Sequence, residues 1–140
     1  MSEEAGIRHV YEEWHRAVMS RDLPALMAIY AEHAIMESPS VVAQFPDRGD
    51  GVLHGKAEIE KLFARNFANL ATEFSDLHRT GFFSDGRVLI WEYPRATPRG
   101  PQVDLFESMD IDNGLIVYHR VYWGWQGLKT LLDVRARQRT

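Results

Sequence analysis

The stretch VDLFESMDIDNGLIVYHRVYWGW, residues 103–125, decides the fold, because Asn113-Gly114 sits between two runs that alternate apolar and polar residues. That is the sequence signature of a β-hairpin. A slip of one residue sends every side chain of a strand to the opposite face, so the register can be read by asking which pairing sorts apolar from polar. A two-residue loop pairs Asp112 with Leu115 and sets Leu105 and Met109 beside Arg120 and Tyr118. A three-residue loop, Asp112-Asn113-Gly114 with Gly114 left-handed in a bulge, pairs Ile111 with Leu115 instead. It gathers Val103, Leu105, Glu107, Met109, Ile111, Leu115, Val117, His119, Val121, Trp123 and Trp125 on one face. The other face then carries Asp104, Phe106, Ser108, Asp110, Ile116, Tyr118, Arg120 and Tyr122, a mixture suited to a surface or a subunit interface. The three-residue loop is therefore expected.

In that register Glu107 and His119 stand directly opposite one another, with Cβ atoms roughly 5 Å apart. They are the ionisable pair of an otherwise apolar face. Burying them is costly unless they satisfy each other or face a cavity. Burial raises a carboxyl pKa and lowers that of an imidazole, and mutual attraction does the reverse, so the pair suits proton transfer near neutral pH. The plainer role is a structural ion pair that fixes register.

Working outward, Ile7, Val10, Tyr11, Trp14, Ala17 and Val18 recur at helical spacing and predict a first amphipathic helix. Asp22 can cap a short second helix with Pro24 in its first turn and Leu23, Leu26, Met27 and Tyr30 as its stripe. Residues 39–55 hold Pro39, Pro46, Gly49, Gly51 and Gly55 and read as a long loop, a rim or lid. A third helix follows Gly55, with Ile59, Leu62, Phe63, Phe67 and Leu70 on one side. From about Phe74 the period becomes strand-like, with a further hairpin turning at Asp85-Gly86. His78 opposes Tyr93 or Glu92 depending on that loop's length, and the faces around Trp91 stay open. A short helix from about Gly127 closes the domain. Helices first and a curved, mostly antiparallel sheet second make an α+β layout in one domain, with its core at about 5–130 and a basic tail at 131–140.

Composition narrows the chemistry. The 140 residues carry 16 Lys plus Arg against 20 Asp plus Glu and no cysteine. Thiolate nucleophiles, disulfides and cysteine metal sites are excluded. An acidic start with no apolar leader points to the cytosol, and no run is long enough for a membrane span. The acidic balance argues against nucleic acid as a partner. Glu12 and His15 have the i, i+3 spacing of di-iron bundles, but that chemistry needs two such motifs, so no metal is expected.

The runs DLPALMAIYAEHAIMESPS, VLHGKAEIEKLF and DLFESMDIDNGLIVYHRVYWGW, taken in order, resemble the SnoaL-like and ketosteroid isomerase-like members of the nuclear transport factor 2-like superfamily over about residues 5–130. The resemblance implies a cone-shaped sheet wrapped around a long N-terminal helix, an apolar pocket at the open end and a homodimer through the outer sheet face. It places Ser38, with Glu37 beside it, where the isomerases keep their general base, Glu107 where they keep a protonated acid donor, and Trp14 where they keep a donor tyrosine. Trp14 can donate only through its indole N–H. The missing base argues against authentic steroid isomerisation. Polyketide cyclisation and dehydration, done by other relatives with a carboxylate or histidines, suit Glu107 and His119 better. Arg79 and Arg120 are present, but Arg120 falls on the outer face in this register, so the Asp-Arg-Asp set of epoxide hydrolysis is not evident.

The expected protein is thus a cofactor-independent isomerase, cyclase or dehydratase (lyase) acting on an apolar carbonyl compound. Glu107 and His119 are its catalytic residues, and Trp14, Met36, Leu105, Met109, Val121 and Trp123 line the pocket. The alternative is a module of the same fold that binds a hydrophobic ligand or a protein. His54 reads as a loop residue.

Overall fold

A computed structural model describes residues 2–69, 81–95, 97, 99 and 102–139. The expected positions Leu70, Phe74, His78 and Arg79 lie outside them. Among the described residues, 11 elements run in the order α1 (Glu3–Ser20), α2 (Leu23–Ala28), β1 (Tyr30–Glu37), α3 (Pro39–Gln44), β2 (Val52–His54), α4 (Lys56–Asn69), β3 (Phe83–Ser84), β4 (Val88–Tyr93), β5 (Leu105–Asp112), β6 (Leu115–Trp123) and α5 (Trp125–Gln138). The strands form a six-stranded, unclosed sheet in the order β2-β1-β6-β5-β4-β3. Its pairings are antiparallel except β1 with β6. The α+β expectation stands.

The helices start where local chemistry stops their backbone donors going unpaired. Ser2 caps α1, and Asp22 caps α2 by accepting the Ala25 N–H, with Pro24 in the first turn. The same logic corrects the reading of residues 39–55 as a loop. Ser38 is an N-cap, accepting from the Ser40 N–H, and Pro39 opens α3; residues 52–54 then add an edge strand beside β1. Only 45–51 and Gly55 are irregular. Tyr30, expected on the α2 stripe, is instead the first residue of β1, beyond the α2 C-cap Ile29.

The inner face of the sheet packs on α1 and α4. Ile7, Val10, Trp14, Ala17 and Val18 of α1 meet Ile59, Leu62 and Phe63 of α4 and Ala34, Met36, Leu89, Trp91, Tyr93, Met109 and Ile116 of the strands, all at most 5% exposed. Fully burying one such aliphatic side chain stabilises by about 1.5–3 kcal/mol. The strand faces left open around Trp91 are resolved by burial: Leu89, Trp91 and Tyr93 point inward and Glu92 outward. Ser84 pairs with Leu89, a register that neither considered loop length produces. It is set by Asp85, whose carboxylate accepts the Arg87 and Val88 N–H groups and is held below the usual carboxylate range by those bonds.

The decisive hairpin differs from expectation in an instructive way. Asp112 pairs with Leu115 across a two-residue turn in which both Asn113 (φ 51) and Gly114 (φ 74) are left-handed, as the twist of flanking strands favours. The pairing then shifts. Ile111 faces Ile116, but Asp110 faces Tyr118, so Val117 is an extra residue on β6. Beyond this bulge Met109 faces His119 and Glu107 faces Val121, not His119 as expected. Near the turn the sorting changes too: Ile116, assigned to the outer face, is fully buried.

Trp125, assigned to the inner strand face, instead opens α5 and is 68% exposed. The helix begins two residues before Gly127 and takes in most of the expected tail, through Gln138, whose amide donates to the Ala43 carbonyl. Gly127 is the point of closest approach: a Cβ there would lie 2.5 Å from the Trp123 Cβ and 2.7 Å from a Val103 methyl. Among the described residues no helix is long and apolar enough to cross a membrane.

Candidate functional site

Although Glu107 and His119 are not opposite one another, they share the inner face as diagonal neighbours on adjacent strands, within reach of long side chains. His119 Nε2 lies 2.5 Å from Glu107 Oε2. The other imidazole nitrogen, Nδ1, lies 2.9 Å from the Tyr30 hydroxyl, and Trp14 Nε1 donates to that same hydroxyl at 3.1 Å. The four side chains come from β5, β6, β1 and α1 and form one buried chain of hydrogen bonds.

The direction of that chain follows from counting hydrogens. An indole N–H only donates, so the Tyr30 oxygen accepts from Trp14. If His119 Nδ1 also donated to it, the Tyr30 proton would have no acceptor among the described residues. Tyr30 therefore donates to Nδ1, and the His119 proton sits on Nε2 and is donated to Glu107. Burial pushes the Tyr30 hydroxyl far above its usual range, with the nearby Glu107 charge adding to the effect and the Trp14 hydrogen bond opposing it. Tyr30 thus stays a donor.

The two ends of the pair differ in access. The His119 side chain is 1% exposed and that of Glu107 7%. Glu107 Oε2 is taken by His119, and no described residue donates to its second oxygen. The carboxylate is the less enclosed end of the pair.

A further buried histidine lies alongside. His15 Nδ1 is 2.7 Å from the Tyr11 carbonyl, an acceptor only, and Nε2 is 2.6 Å from the Tyr93 hydroxyl. Glu12 is on the surface, 4.0 Å from Arg8, so the helix does not bring Glu12 and His15 to one site. His54 ends β2 and is exposed; its N–H donates to Glu58. Neither residue at the isomerase-base position faces inward as a base. Ser38 is occupied as a helix cap and bonds Ser40, and Glu37 accepts a short hydrogen bond from Tyr118 on the outer face.

Of the expected pocket-lining residues, Trp14, Met36 and Met109 are buried within the core, and Leu105 and Val121 are partly buried against it. Trp123 is partly buried under the Gly127 turn of α5. A separate surface cleft, with a cavity volume of about 720 Å³, lies between the start of α1 and the β5–β6 turn, lined by Ser2, Glu3, Arg87, Asp110, Asn113 and Val117. It contains none of the relay residues.

Sequence reasoning missed Tyr30, Tyr93 and the inward role of His15. Tyr30 carries a weak signal, since it begins the alternation Tyr30, Ala34, Met36 once the α2 boundary is moved back to Ile29.

No functionally curated protein shows significant sequence similarity to the chain. Solved structures share the fold. A SnoaL-like protein of unknown function from Burkholderia thailandensis superposes with a TM-score of 0.67 at 20% identity, over 86% of this chain and 95% of that one. A steroid delta-isomerase from Pseudomonas aeruginosa gives 0.67 at 19% identity, over 96% and 91%. The epoxide hydrolase/cyclase-like enzyme SalBIII, of pyran ring formation in the polyether salinomycin, gives 0.62 at 21% identity, over 91% and 97%. A likeness at this level concerns the backbone alone, and such a backbone serves unrelated functions. Sequence carries the assignment further, because residues 11–119, from Tyr11 on α1 to His119 at the centre of the relay, match one family along their whole length: the chain belongs to the SnoaL-like domain family.

Proposed function

We propose that the protein is a cofactor-independent enzyme in which Glu107 moves a proton on an apolar, carbonyl-bearing substrate. The observation that carries this reading is a carboxylate 5% exposed on an apolar face, with one oxygen held by His119 and the other bonded by no described residue. Such a group can accept a proton from a carbon beside a carbonyl, while the electron pair of the C–H bond moves toward the carbonyl oxygen. Return of the proton to another carbon gives isomerisation. Its delivery to a departing hydroxyl gives dehydration; alternatively the enolate attacks a second carbonyl, whose oxygen takes the proton from Glu107, and the product is cyclised. His119, with its proton on Nε2, holds the carboxylate in one rotamer and stabilises its charge. Tyr30 and Trp14 fix the imidazole in that tautomer. The isomerase and the cyclase-like enzyme among the structural neighbours support the reaction class without specifying it.

The test is Glu107→Gln and His119→Ala, each confirmed folded and assayed on enones, hydroxy ketones and polyketide mimics. A placed acid–base group contributes about 10²- to 10⁴-fold, so Glu107→Gln should lose that much. Full turnover in both variants removes the mechanism. The second reading, a module that holds a hydrophobic ligand without chemistry, is favoured by the deep burial of His119; native mass spectrometry showing a stoichiometric, unaltered small molecule would support it.

The outer face supports self-association. Phe106 and Tyr122, 37% and 52% exposed, meet there edge to face with ring centroids 6.1 Å apart, the kind of aromatic patch enriched at interfaces. Sedimentation should show a dimer at micromolar concentration that Phe106→Glu with Tyr122→Glu converts to monomer.

A further inference from the structure

The core holds two buried indoles, and they are used differently. Trp14 donates its N–H to Tyr30. Trp91 is 1% exposed, and its Nε1 is sealed from solvent with no acceptor among the described residues. An indole has a single polar group, so the whole hydrogen-bonding capacity of Trp91 is unmet among the described residues, at a site where an unpaired donor is costly. A buried guanidinium nitrogen without a partner among the described residues also occurs on Arg48, but that side chain bonds the Val52 carbonyl through another of its nitrogens.

The position of Trp91 gives the unmet donor a meaning. It is the direct cross-strand partner of Glu107 on the inner face of β4 and β5. Side chains so paired emerge with Cβ atoms roughly 5 Å apart. The ring is boxed in by Tyr11, Trp14, His15 and Tyr93, with centroids 4.9–6.4 Å away, so its N–H has a fixed direction. The residue paired with it, Glu107, has a second carboxylate oxygen that no described residue bonds. An unmet donor and an unmet acceptor on paired residues of one face match a molecule bearing an oxygen acceptor close to an acidic hydrogen.

We propose that the Trp91 indole N–H is a ligand subsite, a donor for the carbonyl oxygen of the molecule whose proton Glu107 takes. This rests on the reading of Glu107 given above. During proton abstraction negative charge grows on that oxygen, and a preorganised donor aimed at it is worth more there than in the resting complex. The subsite selects ketones over hydrocarbons of equal size.

Tetralone and tetralin, which differ in one carbonyl, are the probes. Proton–nitrogen correlation spectra of the full chain should show four indole signals, one per tryptophan. Single Trp→Phe variants at all four positions assign them, so the Trp91 signal is known by elimination even if Trp91→Phe does not fold. Tetralone should move the Trp91 signal downfield and tetralin should not. Trp91→Phe, if folded, should bind tetralone about threefold to tenfold more weakly, the range expected for one neutral hydrogen bond, with tetralin binding unchanged. The proposal is overturned if tetralone shifts other indole signals but not that of Trp91, if tetralin shifts it equally, or if no indole signal responds up to the solubility of the ketone. Glu107→Gln separates the two ideas. A Trp91 response together with full turnover in Glu107→Gln removes the proton-transfer reading and keeps the subsite. A silent Trp91 together with lost turnover in that variant does the opposite.

Discussion

The two faces of strands β5 and β6 carry the same chemistry in opposite settings. On the inner face Glu107 bonds His119 with side chains 7% and 1% exposed. On the outer face Asp110 bonds Arg120 at 2.6 Å with side chains 39% and 26% exposed, and Arg120 also reaches Ser108 and lies over the Tyr118 ring at 4.7 Å. The outer pair is shared with water and screened by salt, so it stabilises little. The inner pair is buried, and each member depends on the other. Two tyrosines repeat the contrast. Tyr30 is held above its usual range mainly by burial, whereas Tyr118 is raised mainly by the hydrogen bond it gives Glu37. Alternate residues of one hairpin thus build a rigid polar site on one side and an adaptable surface on the other.

The sharpest way to break this comparison is His119→Ala, which strands the Glu107 charge. Denaturant unfolding should show a loss of about 3–5 kcal/mol, and a loss below 1 kcal/mol would mean that Glu107 finds solvent or another partner.

Next in size is Tyr30→Phe, which leaves the Trp14 N–H and His119 Nδ1 unpaired and should cost about 1–3 kcal/mol. It carries a pH signature. Because the folded Tyr30 titrates above the unfolded tyrosine value of about 10, its contribution is complete below pH ~10 and is lost as pH rises beyond it. Melting temperature should therefore fall above pH ~10 more steeply in the wild type than in Tyr30→Phe, and parallel curves would contradict the assignment.

Smallest is Arg120→Ala on the outer face, expected to change stability by no more than about 1 kcal/mol and to shrink further in high salt. A loss comparable to that of His119→Ala would erase the distinction between the faces.

How much of this was legible in the sequence depends on what alternation can encode. The inward set Leu105, Glu107, Met109, His119, Val121 and Trp123 could be read, because face sorting depends only on odd or even parity. The pairing could not. A third loop residue and a bulge at Val117 each insert one residue and so give the same parity, but they differ by two in register. Ile116 was misplaced for that reason, since it lies on the turn side of the bulge. The relay beyond His119 was hidden differently. Tyr30 continues the apolar run LPALMAIY, and nothing local says that the helix stops at Ile29. Its partners are 16 and 89 residues away in sequence. Caps depend on neighbours only and are legible at Asp22, whereas at Ser38 the Pro39 that opens α3 is equally a residue of loops.

The Trp14–Tyr30–His119–Glu107 chain also bears on cooperativity. Its members come from α1 and three strands, and its central bond, Tyr30 to His119, closes a loop of 89 residues. The site cannot be opened by fraying one element. Exchange of the Trp14 indole hydrogen with solvent should need the same free energy as unfolding the whole domain. The setting of Glu107 is thereby tied to global stability, and a substitution far from the site that lowers that stability lowers the population carrying an intact hydrogen-bonded chain by the same factor.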